Sequence, residues 1–185
     1  MIDLNTVKHI QFIGIGGVSN SAIAEILAKK GYTVTGSDEH PSSFTKHLES
    51  LDIQIFTGHD ASNIEGADLI VFTAAIASDN PELVEAKNKN IPTLSRAEML
   101  GQLMSDYEDS ICVAGTHGKT TTTSMITKII NQPSIDPTAL VGGYSEDLKS
   151  NVKIGKSSVF LTEACEYTDS FLSFYPKIAV VLNVD

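Results

Sequence analysis

Two successive α/β units with parallel sheets are what this sequence predicts, on three observations. Short β-branched runs alternate with stretches of helical period, the order that builds a doubly wound sheet. Two of the strand-to-helix junctions are glycine loops, at residues 13–21 and 114–121. The β-α rhythm is broken once, by the polar, acidic MSDYEDS at residues 104–110.

Taken in order, HIQFIGI (9–15) reads as a buried strand and SNSAIAEILAKKG (19–31) as a helix closed by its glycine. YTVTGSD (32–38) is the next strand, FTKHLESLD (44–52) a helix and IQIF (53–56) a strand. ADLIVFTAAI (67–76) continues as a strand, NPELVEAKNKN (80–90) as a helix and IPTL as a short strand. In SRAEMLGQLM (95–104), Ser95 stands three residues before Glu98, the signature of a capping box. A boundary in the acidic break divides the chain into residues 1–106 and 107–185. The second series then runs SICVAG, a threonine-rich helix, SSVFLTEA and KIAVVLNVD, which makes three strands. Its last strand has no helix after it, whereas parallel sheets are normally covered on both faces. The second unit therefore reads as incomplete and the chain as a fragment, with IAVVLNVD an exposed edge open to pairing.

Composition narrows the function. With 13 basic against 23 acidic residues, a formal charge of −10 excludes a nucleic-acid partner, which needs a basic face. A small phosphorylated ligand needs only a few local donors and stays open. No stretch resembles a signal peptide or reaches the roughly 18 apolar residues of a membrane span. The two cysteines, Cys112 and Cys165, lie in apolar runs without metal-ligand spacing, as buried thiols of a cytoplasmic protein do.

The junction AGTHGKTTTTSM carries the sharpest signal. Four threonines in a row, Thr120 to Thr123, open a helix poorly, because β-branched side chains lose χ1 freedom there. Gly115 and Gly118 let backbone N–H groups turn around an anion at a helix start, Lys119 brings a point charge to β and γ phosphates, and Thr120 offers a hydroxyl to Mg²⁺. Thr116, His117 and Thr121 complete the loop, His117 as a phosphate contact or an exposed turn residue. Val113 stands where the general phosphate-loop pattern has its first glycine, so the plain alternative is a tight turn before a polar helix.

The first loop, IGIGGVSNS, fits the start of a dinucleotide fingerprint with Gly14 and Gly16, while Ser19 replaces the third glycine. Asp38 ends the following strand, where such folds keep an acidic residue for a ribose. The pair points to a diphosphate at the helix start or to a glycine turn required for packing alone. In TEACEYTDSF, Glu163, Glu166 and Asp169 follow a strand end; Glu163, nearest the rigid strand, is the candidate to join Thr120 around Mg²⁺. A solvated acidic loop is the alternative.

Together, GIGGVSNSAIAEIL, GSD, AGTHGKTTTTSM and EACEYTDSF resemble the Mur ligase family of cell-wall enzymes, over the whole chain and in order. The resemblance implies a Rossmann-like N-terminal domain for a UDP-sugar, then the N-terminal part of a P-loop ATPase domain. A C-terminal domain and a histidine-bearing segment after NVD are expected in the complete enzyme. It implies a cytoplasmic, ATP- and Mg²⁺-dependent ligase of peptidoglycan biosynthesis, linked to cell shape and division. In the reaction that the resemblance implies, the lactyl carboxylate of UDP-N-acetylmuramate is phosphorylated and L-alanine attacks the acyl phosphate. By position, residues 115–121 are the ATP loop, with Lys119, Thr120 and Glu163 catalytic and the last two on the metal. Gly14, Gly16, Gly17, Val18, Ser19 and Asp38 fall to the UDP-sugar, with Ala74, Ala75, Ile76 and Arg96 beside it. Asn20, Cys165 and Tyr167 depart from the family, which usually has methionine, aspartate and a smaller polar residue there. The fragment alone is expected to bind the UDP-sugar without turnover. Alternatives are a ligase attaching a recycled tripeptide to the same UDP-sugar, an NAD-binding oxidoreductase, and a non-catalytic UDP-sugar-binding module.

Overall fold

A computed structural model describes residues 2–146, 148, 150–164 and 171–184. The chain forms two compact units, residues 1–99 and 100–185.

In the first unit β1 (His9–Ile13) is followed by α1 (Val18–Lys29), β2 (Thr33–Asp38), α2 (Ser43–Glu49), β3 (Gln54–Thr57), β4 (Leu69–Phe72), α3 (Pro81–Asn88) and β5 (Thr93–Ser95). The strands form one parallel sheet in the order β3-β2-β1-β4-β5. β1 is central, so four of its five residues are buried, Ile10, Phe12 and Ile13 without exposure. Ile13, Ile64, Ala67, Ile70 and Ala86 form a core cluster, with Phe72, Ile76, Leu83 and Ile91 packed against it. α1 ends as its sequence predicts. Gly31 takes φ +99°, and Tyr32 N–H donates to Leu27 O at 3.2 Å, a Schellman closure. Two strands are shorter than the sequence suggests. β1 stops at Ile13 because Gly14 turns to φ +77°, and β4 stops at Phe72, where Thr73 starts a turn closed by Ile76 N–H on Thr73 O.

The division between the units falls within α4 (Arg96–Ser105), whose capping box is reciprocal: Ser95 N–H donates to Glu98 Oε2 at 2.7 Å and Glu98 N–H to Ser95 Oγ at 3.2 Å. The second unit continues with β6 (Asp109–Ala114), α5 (Lys119–Ile130), β7 (Thr138–Ser145), β8 (Ser150–Lys153), β9 (Val159–Ala164) and β10 (Ile178–Val181). Here the sequence reading is corrected: among the described residues the sheet has five strands, not three, in the order β10-β6-β9-β7-β8. β7 joins β9 in parallel and turns back antiparallel as β8. β10 is an edge, with Ile178 and Val181 more than half exposed. Val113, Ala139 and Leu161 form the core between α5 and the sheet. No helix among the described residues is long and apolar enough to cross a membrane.

Candidate functional site

In open parallel sheets, ligands collect beyond the carboxyl ends of the strands where the strand order reverses. In the first unit that place lies between β1 and β4. The loop after β1 contains Gly14, Gly16 and Gly17; the turn after β4 contains Ala74, Ala75 and Ile76. They touch: a Cβ on Gly14 would stand 2.5 Å from Thr73 Cγ2 and 3.6 Å from Ile76 Cδ1. Gly17 is the N-cap of α1, no side-chain hydrogen bond caps this helix, and Val18 is exposed at its start. Arg96, the first residue of α4, donates from Nη1 to Ser19 Oγ at 3.2 Å, which brings a guanidinium to the same helix start. A helix N-terminus with an adjacent guanidinium suits an anion. Asp38 binds the loop itself: its Oδ2 accepts Gly16 N–H at 2.8 Å, and its Oδ1 accepts His40 N–H at 3.3 Å. The structure thus joins Gly14, Gly16, Gly17, Val18, Ser19, Asp38, Ile76 and Arg96 around one sheet edge, with Ala74 and Ala75 exposed on the turn.

Asn20 is buried behind this loop, 1% exposed. Its Nδ2 donates to Gly14 O at 3.0 Å, while Oδ1 has no partner among the described residues.

In the second unit the loop after β6 holds Gly115 at φ +142° and Gly118 at φ +87°. Gly118 is the N-cap of α5, again without a side-chain cap. α2, α3 and α4, by contrast, are each capped by a side chain, from Ser42, Asn80 and Ser95. Thr116, His117, Thr120 and Thr121 are exposed around the loop. Lys119 is half-buried and its Nζ donates to the carbonyls of Gly115 and Thr116, so its ammonium lies along the loop and away from the apolar core. The threonine run divides by face, since Thr120 and Thr121 meet solvent while Thr123 and Thr127 are buried.

Glu163, at the carboxyl end of β9, reaches the same edge. Thr120 Oγ1 donates to Glu163 Oε2 at 3.1 Å, and Gly142 N–H on β7 donates to Glu163 Oε1 at 2.6 Å. One carboxylate oxygen is therefore anchored to backbone and the other faces the loop. A hydroxyl and a carboxylate so placed are the hard oxygen donors that Mg²⁺ takes together with phosphate oxygens and water. Glu166 and Asp169, like Cys165 and Tyr167, lie outside the described residues.

Asn183 was missed in the sequence. Its Oδ1 accepts His117 N–H at 3.1 Å and its Nδ2 donates to His117 O at 3.0 Å, clamping the loop tip from the segment after β10. The available signal was an amide directly following a strand that flanks the loop strand. Cys112, beneath the loop on β6, is buried with its thiol pushed up to about 12 by burial, an inert position as expected.

Comparison with known proteins places the two units in a family. The model described as Mur ligase family, catalytic domain, matches residues 9–108, and that of the Mur ligase middle domain matches residues 113–185. The chain belongs to the Mur ligase family. It is 52% identical over 185 residues to UDP-N-acetylmuramate–L-alanine ligase of Acetivibrio thermocellus, covering all of this chain and 39% of that relative. The corresponding enzyme of Alkaliphilus metalliredigens is 52% identical over 184 residues, covering 100% of this chain and 40% of the relative. This Mur ligase chain thus spans about two fifths of the curated relatives it matches. Among solved structures it resembles UDP-N-acetylmuramate-alanine ligase of Thermotoga maritima, with a TM-score of 0.86 at 33% identity over 95% of this chain and 41% of that one. It also resembles UDP-N-acetylmuramate:L-alanyl-gamma-D-glutamyl-meso-diaminopimelate ligase of Neisseria meningitides, at 0.87 and 28% over 97% and 62%. These likenesses bear out the Rossmann-like first unit and the central-domain second unit.

Proposed function

We propose that this chain supplies the UDP-sugar-binding and ATP-loop portions of an ATP-dependent ligase that joins L-alanine to the lactyl carboxylate of UDP-N-acetylmuramate. The observation that carries the reading is the 52% identity, along the whole chain, to ligases of that name. Residues 1–106 act as the UDP-sugar domain and residues 107–185 as part of the ATP domain. The α1 N-terminus and Arg96 hold the UDP diphosphate, beside Asp38 and the turn at Ala74, Ala75 and Ile76. Residues 115–121 hold the ATP phosphates, with Lys119 swinging from its loop carbonyls to the β and γ oxygens. When bound, Mg²⁺ spreads the charge of the phosphoryl group in transit. Thr120 and Glu163 hold it, and the Gly142 N–H keeps Glu163 aimed at the loop. In this reaction the carboxylate oxygen bonds to the γ phosphorus as ADP leaves, and the amine then displaces phosphate from the acyl carbon. The setting is the cytoplasmic stage of peptidoglycan synthesis.

Titration calorimetry on the chain tests both sites. UDP-N-acetylmuramate and ATP with Mg²⁺ should each give saturable heat. Gly17→Asp, which adds a negative charge to the first cradle, should remove only the former response. Lys119→Ala should weaken the latter about tenfold to a hundredfold, the worth of a charge-assisted hydrogen bond. Absence of heat with both ligands overturns the proposal. Ligation of a tripeptide to the same UDP-sugar is a second reading, favoured by the likeness to the Neisseria enzyme at a TM-score of 0.87. A turnover assay of a complete enzyme carrying these residues, with L-alanine against tripeptide, separates the two.

A further inference from the structure

We infer that Glu82 and His59 form a positioning pair that sets the shape of the first glycine loop, acting on ligand binding without touching the ligand; the inference rests on the reading of that loop as the UDP-sugar site. Glu82 has no exposed surface, although it is a carboxylate. Three donors satisfy it: Gln11 Nε2 on Oε2 at 2.9 Å, and His59 Nδ1 at 2.9 Å and Asn63 Nδ2 at 3.3 Å on Oε1. It also lies in the first turn of α3, where the helix dipole favours negative charge. An ionised carboxylate only accepts, so Nδ1 of His59 carries the proton. The same N–H lies 3.1 Å from Ser37 Oγ, between two acceptors.

Ser37 is where this pair meets the loop. It is fully buried, and its carbonyl accepts the N–H groups of both Gly14 and Ile15, at 2.9 and 3.0 Å. Asp38, next to it, accepts Gly16 N–H. Three consecutive loop amides are therefore held by the last two residues of β2. The segment carrying His59 grips that strand end twice, by its ring on Ser37 and by Gly58 N–H on Asp38 O at 2.8 Å. Glu82 fixes the ring from the opposite element. A shift of the pair moves Ser37, and with it the amides that aim the start of α1. A carboxylate on α3, a ring after β3 and a hydroxyl on β2 thus converge on one turn, which packing alone does not require.

The test compares His59→Ala, His59→Asn and Glu82→Gln with the unaltered chain, each kept where urea unfolding shows it folded. Asparagine places an amide N–H near the position of Nδ1–H but has nothing at Nε2. We expect His59→Ala to bind UDP-N-acetylmuramate about tenfold more weakly, the worth of one hydrogen bond to a charged group. His59→Asn should restore most of that affinity, with ATP binding unchanged throughout. Wild-type affinity in His59→Ala overturns the inference, as does equal loss in the alanine and asparagine variants, which would make Nε2 a ligand contact. Should the alanine variant not fold, Glu82→Gln decides: the amide resonances of Gly14, Ile15 and Gly16 should move while those of Gly115 and Gly118 stay, and unmoved Gly14–16 signals overturn it. If the unaltered chain binds no UDP-N-acetylmuramate, the reading of the site falls and takes the inference with it.

Discussion

The two glycine loops look alike in sequence and are held by opposite means. The first is fastened from within the sheet: Ser37 and Asp38 accept three successive amides, and Gly14 is pressed against Thr73. The second stands out from its sheet, with residues 116–118 exposed, and is held at its tip by one amide side chain, Asn183, and along its carbonyls by its own lysine. The first loop is thus part of the fold's framework. The second, on the proposed reading, is a working part whose lysine would exchange its loop carbonyls for a phosphate. Glycine has a different task in each, and substitutions should separate the tasks.

The largest effect belongs to Gly14→Ala. The residue sits at φ +77° and the added methyl would lie 2.5 Å from Thr73 Cγ2. Left-handed strain of about 1–2 kcal/mol and overpacking of about 1–3 kcal/mol combine to roughly 2–5 kcal/mol lost in urea unfolding. Gly17→Ala offers the contrast within the same loop. Its φ is −69° and the nearest atom to an added Cβ is Gly14 O at 3.7 Å. Its cost in stability should stay below about 1 kcal/mol, the scale of an N-cap change. Equal destabilisation by the two would end the claim that the first loop is framework at Gly14 and open at Gly17.

Next in size is Asn183→Ala. Losing both hydrogen bonds to His117 should free the tip of the second loop and weaken ATP binding by about tenfold to a hundredfold, as two modest hydrogen bonds allow. UDP-sugar binding serves as the internal control and should not change. An Asn183→Asp variant keeps the acceptor for His117 N–H but loses the donor and adds a negative charge beside the loop, so it should bind ATP at least as weakly as Asn183→Ala. A variant series with unaltered ATP affinity would show that the loop holds its shape without the clamp.

What the sequence made legible follows the same division. Both loops were visible because glycine, lysine and threonine requirements are local, and the capping box at Ser95 and Glu98 is local too. β7 and β8 were not visible. The segment from Pro133 through the Gly142–Gly143 pair has no clean alternation, and glycine weakens a strand on its own. The structure supplies the reason for the glycine: a Cβ on Gly142 would stand 2.5 Å from Glu163 Oε2. His59 and Glu82 were hidden for another reason. Only the fold, which brings the start of α3 against Gln11 on β1 and the segment after β3, sets them 2.9 Å apart, and no spacing rule encodes that. Glu163 was found from its strand end, but its anchor on β7 was beyond reach once that strand was missed.

A smaller effect tests the strands beneath the loops. β1 carries Phe12 and Ile13 behind the first loop, while β6 carries Cys112 behind the second. Burial raises the Cys112 thiol to about 12, whereas in the unfolded chain a thiol ionises at about pH 8.5. Above that pH the unfolded state has lost a proton that the folded state keeps, so stability falls with rising pH, by at most about 1.4 kcal/mol per unit. Cys112→Ala should remove this part of the slope in unfolding curves between about pH 8.5 and 10.5. An unchanged slope would mean that the thiol reaches solvent and that the support of the second loop is looser than its burial indicates.

The smallest effects come from two buried atoms, one behind each loop. Among the described residues neither Asn20 Oδ1 nor Thr123 Oγ1 has a hydrogen-bond partner, yet the side chains differ in what else they do. Asn20 donates to Gly14 O and so contributes to the first loop; Thr123 engages only its carbonyl, which accepts from Thr127 Oγ1. Replacing Thr123 by valine keeps the shape and removes an unsatisfied group. It should leave stability unchanged or raise it by up to about 1 kcal/mol. Asn20→Ala removes the idle oxygen and the useful amide together, and the lost bond to Gly14 should dominate, at about 1 kcal/mol of destabilisation. Opposite signs in urea unfolding would confirm that polar support is built into the first loop and absent behind the second. A loss of stability in Thr123→Val would instead give that hydroxyl a role in holding α5, and the contrast between the two loops would narrow.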